Sequence, residues 1–370
     1  MSTVIVAGDL FLRNGFAPGV SRAVRDQIAA ADHALVNLEG PVTARLERLS
    51  KSGPHLTMPA TALDRVRDAG FTGVTLANNH ILDAGLGGLA DTLADAAARG
   101  LATVGAGTEP AGARDAARIR LPLPAGWLTV LNYCEHEWSV RADGAGASGW
   151  DVLDARADVV AARAAGDAVL VILHGGNEYF PLPRPGLRRE LRFLAESGAD
   201  AIVMHHSHVP GAYEVWAGVP IFYGLGNFQF TAPSTARAWR EGLLVSLTFS
   251  PTDTRFAVVP LRQTDSYDVR LATATEAAET RNELEGYRLQ VGSDEALTAR
   301  WEEFAADAAG MYARGLLPTR PFRGHLGRAA QLARARLFWR DPDARMIALN
   351  YVRCESHLEA MRTALQLRSR

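Results

Sequence analysis

The sequence predicts an α/β layered fold with a helical C-terminal extension, and three observations lead there. Short β-branched runs alternate with helical stretches of about 10–15 residues, the rhythm of strands joined by crossover helices. Five of those strands run straight into polar residues able to hold a cation. Beyond about Gln263 the alternation stops and helical spacing takes over.

In order, Val4–Ala7 reads as a buried strand ending in Gly8-Asp9, and Val20–Ala31 as a helix. Ala34–Asn37 is a second strand, running into Glu39, and Ala60–Ala69 a second helix. Gly73–Leu76 leads into Asn78-Asn79-His80, and the Ala-rich helix Leu86–Arg99 stops at Gly100. Ala102–Val104 starts another strand. Thr129–Tyr133 ends at Glu135-His136-Glu137, Val152–Ala165 is helical, and Ala168–Leu173 is a strong strand ending at His174. Helix Leu187–Ser197 closes at Gly198, and strand Ala201–Met204 ends at His205-His206. Pro220–Tyr223 leads to Gly224–Asn227, and Leu243–Phe249 with Arg255–Val259 form a closing pair. In such sheets functional groups collect at the carboxyl ends of the strands.

Ala272–Leu289, Asp294–Arg314 and Gly327–Leu367 read as mostly helical, broken at Pro318, Pro321 and Pro342. The expected division is a domain over 1–262 and an Arg-rich helical extension over 263–370. Residues 301–370 hold 12 Arg against 7 Asp and Glu, either a solvated helix face or a dock for an acidic segment.

Composition narrows the function. A net charge of −2 argues against a general nucleic-acid or membrane-surface binder. Two cysteines, Cys134 and Cys354, provide neither a disulfide framework nor a Cys-type zinc site. The N-terminus has no basic n-region, and no apolar stretch reaches the ~20 residues of a membrane span. The expectation is a cytoplasmic protein starting at or near Met1. Lys51 is the single lysine beside 38 arginines, which reflects either a GC-rich coding bias or a place where a compact ammonium able to lose a proton is wanted.

Of ten histidines, five fall in three short motifs: His80, His174, and His205, His206 and His208. Histidine with carboxylate suits zinc, iron, manganese and similar ions. Asp9, Glu39, Asn79, His174 and His208 each lie just past an expected parallel strand, so folding would gather them. Two divalent ions ~3.5–4 Å apart need a bridging carboxylate and flanking ligands, and this set supplies them.

Six ordered motifs carry a family resemblance: Gly8-Asp9-Leu10-Phe11, Asn37-Leu38-Glu39-Gly40-Pro41, Ala77-Asn78-Asn79-His80 with Asp83 and Gly85, His174-Gly175-Gly176-Asn177-Glu178, His206-Ser207-His208-Val209, and Leu225-Gly226-Asn227-Phe228. Over roughly residues 4–260 the chain resembles the CapA family, named for poly-γ-glutamate capsule synthesis, within the calcineurin-like metallophosphatase superfamily. The resemblance implies an αββα sandwich. It implies Asp9 and His208 as ligands of a first ion, Glu39 as the bridge, and Asn79, His174 and His206 as ligands of a second. It places His80 as the acid–base histidine and Lys51 in a loop near the site, with Asp83 in the same motif as His80 and Glu178 and Asn227 at the cleft. Phe11 stands where phosphatases carry a histidine, so the first ion lacks a ligand.

The functional expectation is a metal-dependent enzyme acting on a peptide, with one or two divalent ions (Mn, Zn, Fe, Ca or Mg). The chain is similar to soluble CapA-like peptide epimerases of lasso-peptide biosynthesis in size and in its basic extension. On that reading His80 or Glu178 abstracts a Cα proton, and Glu135, His136, Glu137 or Lys51 returns one. The partner would be a precursor peptide with an acidic leader, with no nucleic acid or membrane involved. Hydrolysis of a phosphoester or amide, or a non-catalytic role in capsule assembly, are the alternatives.

Overall fold

The computed structural model describes residues 1–315 and 340–367, except 52, 125, 235, 251 and 252. In the first sheet β1 (Ser2–Phe11), β2 (His33–Leu38), β3 (Gly73–Thr75) and β4 (Ala102–Val104) run parallel. Their crossovers are α1 (Arg22–Ala29), α2 (Thr61–Asp68) and α3 (Gly85–Ala98). A two-stranded ribbon of β5 (Ala106–Gly107) and β8 (Gly146–Ala147) flanks the short helix α4 (Gly112–Ala116).

The second sheet has the order β11-β12-β10-β9-β7-β6. Its strands are β6 (Arg118–Leu123), β7 (Gly126–Cys134), β9 (Ala168–His174), β10 (Ala201–His205), β11 (Tyr213–Trp216) and β12 (Val219–Phe222), with crossover helices α5 (Val152–Ala164) and α6 (Pro185–Glu196). The chain then returns to the first sheet. β13 (Asn227–Phe230) pairs with the end of β1, and β14 (Glu241–Phe249), β15 (Thr254–Gln263) and β16 (Val269–Leu271) complete that side. The sheets stack face to face, so a strand such as β9 is covered on both sides and reads as an unbroken apolar run.

Three apolar layers hold the sandwich. Val4, Val6, Leu35, Val130, Leu170, Ile172, Val203 and Phe222 fill the space between the sheets. Val36, Val66, Leu89 and their neighbours pack α1–α3 on the outer face of the first sheet. Val159, Val171, Leu187 and Leu194 pack α5 and α6 on the outer face of the second. The fold is therefore the expected αββα layering.

Past Gln263 the chain stays in contact with these layers. Helices α7 (Ala274–Gly292), α8 (Asp294–Gly315), α9 (Pro342–Arg353) and α10 (Glu355–Leu367) follow β16. Leu284 joins the layer between the sheets, while Val291, Leu297, Trp301, Tyr312, Ala360 and Met361 join the outer core of the second sheet. The side chains of Thr273 and Glu276 cap the start of α7 reciprocally. Pro342 opens α9 as its first residue, with Asp341 accepting from the backbone N–H groups of Asp343 and Ala344. The expected proline breaks at 318 and 321, and residues 327–339 of the expected last helical stretch, lie outside the described residues. No helix among the described residues is long and apolar enough to cross a membrane.

Candidate metal centre

The site forms where the carboxyl ends of the two parallel strand sets meet. One correction concerns how the groups are gathered: Asp9, Glu39 and Asn79 come from the first sheet, whereas His174, His206 and His208 come from the second. No single parallel sheet collects them; the stacking of two sheets does. A second correction concerns Asp9, which lies inside β1 rather than past it. The pairing of β1 slips beside Asp9 on both flanks, and such a bulge re-aims a side chain. Gly8 permits the close approach, since a Cβ there would sit 1.9 Å from the carbonyl oxygen of Gly226.

After β10 the chain turns sharply through His206 (φ 93°) and His208 (φ 55°), both in the left-handed region. That conformation is costly for residues with a Cβ and concentrates at functional sites. It lets two histidines separated by one residue face the same cleft. His205 serves the frame instead, its Nε2 meeting the carbonyl oxygen of Ala7 at 2.9 Å.

At the centre, Asn37 donates to Asp9 Oδ1 at 2.8 Å and to Glu39 Oε2 at 2.5 Å. His174 Nε2 lies 3.2 Å from Asn79 Oδ1, 3.1 Å from His206 Nδ1 and 3.4 Å from Glu39 Oε1. Donor atoms of Glu39, His174 and His206 all fall within 4.8 Å of one another. Glu39 Oε1 is buried with no hydrogen-bond partner, which few buried polar atoms tolerate. Burial, with the positive field of His206, holds the His174 imidazole well below its ordinary pKa, in the neutral form that binds metals. Burial and the charge of Asp9 push the Glu39 carboxyl well up. An unsatisfied oxygen beside the neutral imidazole of His174 fits a divalent ion held by Glu39, Asn79, His174 and His206.

The first-ion position is furnished differently. His208 Nδ1 lies 3.2 Å from Asp9 Oδ2 and 3.0 Å from Asn227 Oδ1. Burial opposes charge on both partners. The hydrogen bond and opposite charge prevail, pushing His208 up to about 9 and holding Asp9 below the usual carboxylate range. Phe11 packs on Phe230, and Phe230 and Trp239 pack on the His208 ring at centroid separations of 5.0 and 4.8 Å. Where a third donor is needed there is an aromatic wall. The residues present fit one ion better than two.

Beside this cluster, His80 Nδ1 lies 2.7 Å from Asp83 Oδ2 and 2.9 Å from Lys51 Nζ, and Lys51 is ion-paired with the other oxygen of Asp83. All three side chains are buried. Burial lowers Lys51 despite Asp83, and burial together with Lys51 lowers His80. With Nδ1–H donated to Asp83, the lone pair of neutral His80 sits on Nε2. Glu178 is exposed on the loop after β9, and its charge acts on Glu39 and His208. The structure thus brings Asp9, Glu39, Asn79, His80, Lys51, Asp83, His174, His206 and His208 together, with Glu178 at the rim.

The family model "Bacterial capsule synthesis protein PGA_cap" matches residues 3–232. The chain belongs to this family. Among its relatives, PGA biosynthesis protein CapA of Bacillus subtilis is 31% identical over 252 residues, 66% of this chain and 65% of that protein. Capsule biosynthesis protein CapA of Bacillus anthracis is 30% identical over 222 residues, 57% of this chain and 53% of that protein. The chain thus spans between about half and two thirds of the length of these relatives. Among solved structures, a Staphylococcus aureus protein described as a 5′-nucleotidase in complex with alpha-ketoglutarate has 13% identity and a TM-score of 0.46, over 77% of this chain and 58% of that one. The family match ends before β14–β16 and the helices described after them, and it covers every ligand candidate named above.

Sequence reading missed Asn37 as the linker of Asp9 and Glu39, and missed His357 and Asn350 altogether. Asn37 had a trace in the sequence, an amide inside an otherwise apolar strand. His357 had none, because its site contacts are with residues more than two hundred positions away.

Proposed function

We propose that this member of the capsule-synthesis family is a metal-dependent enzyme acting on a peptide, inverting one amino-acid Cα from L to D in a ribosomal, lasso-type precursor. The observation that carries the reading is His80. It is a neutral imidazole with Nδ1–H committed to Asp83, lying next in sequence to Asn79 of the candidate metal cluster. A divalent ion held by Glu39, Asn79, His174 and His206 supplies Lewis acidity that disperses charge on a carbonyl or carboxylate oxygen. His80 Nε2 takes the Cα proton, and Asp83 stabilises the resulting imidazolium. Glu178, presented by the other sheet, returns a solvent-derived proton. The origin of His80 and Glu178 in different sheets supports exchange at two faces of the same carbon. The peptide would be a cytoplasmic partner whose acidic leader lies along the arginine-rich C-terminal segment.

The alternative is hydrolysis of an amide or phosphoester, favoured by the retained carboxylate–histidine donor set. The relatives are named for capsule synthesis, so the epimerase reading rests on the site and on the resemblance to soluble CapA-like enzymes. Incubation of the metal-loaded chain with a synthetic lasso-type precursor peptide carrying an acidic leader, in deuterated water, separates these readings. Epimerisation adds one deuterium at one Cα, leaves the backbone intact and yields one D-residue by chiral analysis. Cleaved fragments would replace the proposal with hydrolysis, and an unchanged peptide would remove it.

A further inference from the structure

The C-terminal helices reach the candidate metal centre through one loop, Glu135–Glu137, which follows β7. Arg353 at the end of α9 donates to the carbonyl oxygens of Glu137 and Val140. Glu355, at the start of α10, accepts from the His136 backbone N–H at 2.9 Å and lies 2.6 Å from His136 Nδ1. Arg184 joins Glu135 to Glu359, with contacts of 3.0 and 2.8 Å. The loop is therefore clamped along its length by residues 353–359.

That clamp presents a carboxylate to the centre. Glu137 is buried, and its Oε1 accepts from Asn350 Nδ2 at 3.4 Å and lies 3.2 Å from His357 Nε2. His357 is itself oriented by the Tyr312 hydroxyl, 3.1 Å from its Nδ1. On its other side Glu137 faces Asn79 and His206 across a small cavity. Asn79, Glu135, Glu137, His174, Gly175 and His206 line a cavity of about 10 Å³, close to what a single water or ion requires. Two of its walls are the histidines whose donor atoms cluster with the unpartnered oxygen of Glu39.

We propose that Glu137 is a further donor to the ion held by Glu39, Asn79, His174 and His206, and that His357 and Asn350 position it. The inference rests on the reading of that cluster as a metal site. It makes the helices after residue 340 part of the centre. A histidine gripping a carboxylate that faces a metal is the arrangement that fixes ligand orientation, and its loss commonly weakens metal binding about 10–100-fold.

The test uses the full chain and Mn²⁺ alone, titrated by calorimetry, with Co²⁺ absorption as an independent reading of the donor set. Glu137→Gln should weaken Mn²⁺ at least about tenfold and alter the Co²⁺ spectrum; His357→Gln should weaken Mn²⁺ about tenfold. Glu39→Gln is the reference. If Glu39→Gln loses metal while Glu137→Gln matches the parent in affinity and spectrum, the inference is overturned and the metal centre stands. If Glu39→Gln also binds as the parent does, the metal reading falls and this inference with it. Should Glu137→Gln fail to fold by circular dichroism, His357→Gln and Asn350→Ala decide, since both retain the carboxylate; parent-like Mn²⁺ affinity in both would overturn the inference.

Discussion

Lys51 and Asp83 form an ion pair sealed from solvent, with side-chain exposures of 1% and 0%. Asp83 serves three partners at once, since it also contacts His80 and accepts from the Leu56 backbone N–H at 2.6 Å. Removing its charge strands an ammonium in a low-dielectric interior. Asp83→Asn should cost about 3–5 kcal/mol of unfolding free energy, and Lys51→Met, which strands the carboxylate instead, an amount of the same order. Chemical denaturation measures both; a loss for Asp83→Asn within about 0.5 kcal/mol would show that the pair is not what holds this corner.

His80 should be separable from metal binding. His80→Gln is expected to keep the parent metal content while slowing deuterium incorporation at the target Cα by about 100-fold or more. Turnover near the parent rate would assign the proton step to another group.

Metal stoichiometry should be close to one ion per chain, because Phe11 and its aromatic neighbours stand where the first ion needs another donor. Elemental analysis after dialysis against Mn²⁺ reads this directly. His174→Ala should lower the bound metal, and a firm count of two in the parent would contradict the reading of the first position.

Trp301 links α8 to the second sheet. It is buried, lies 5.9 Å from Phe180 and stacks on Phe304 at 5.6 Å, and its Nε1 donates to Thr363 on α10. Trp301→Ala should cost about 3–5 kcal/mol, the usual loss for an aromatic removed from a packed core. A thermal transition that loses only its helical part, with the sheets melting as in the parent, would show that the helices unfold independently.

Acid should open the start of α7. Hydrogen bonds from Arg270, against modest burial, with Thr273 at the cap, hold the Glu276 carboxyl at about 2, below its ordinary 4.5. A carboxyl with a lowered folded-state pKa stabilises the fold above its unfolded value, and that contribution disappears as pH falls from about 4.5 towards 2. Glu276→Gln should flatten the stability profile in that window; an unchanged acid slope would mean that the cap adds nothing measurable.

Strand–helix alternation and the residues at the strand ends were legible from the sequence because both depend on near neighbours. An apolar run such as Val169–Leu173 declares a doubly covered strand, and a polar residue following it declares an open end. Short elements escaped: β5 and β8 span two residues each, too few for a period to show. β13 escaped for another reason, since its pairing with β1 joins segments far apart in the chain.

The sequence by itself determined the α/β layering and the donor types, since each is a matter of local periodicity or residue identity, while the place of Phe11 in the first motif came from the family resemblance. Only the tertiary structure decided that Asp9 and His208 answer each other, that Lys51 belongs to Asp83, and that α9 and α10 grip the loop carrying Glu137. Those pairings depend on how two sheets stack and where distant helices dock. Nothing in short-range spacing encodes that, because the free energy that selects it comes from burying whole faces together.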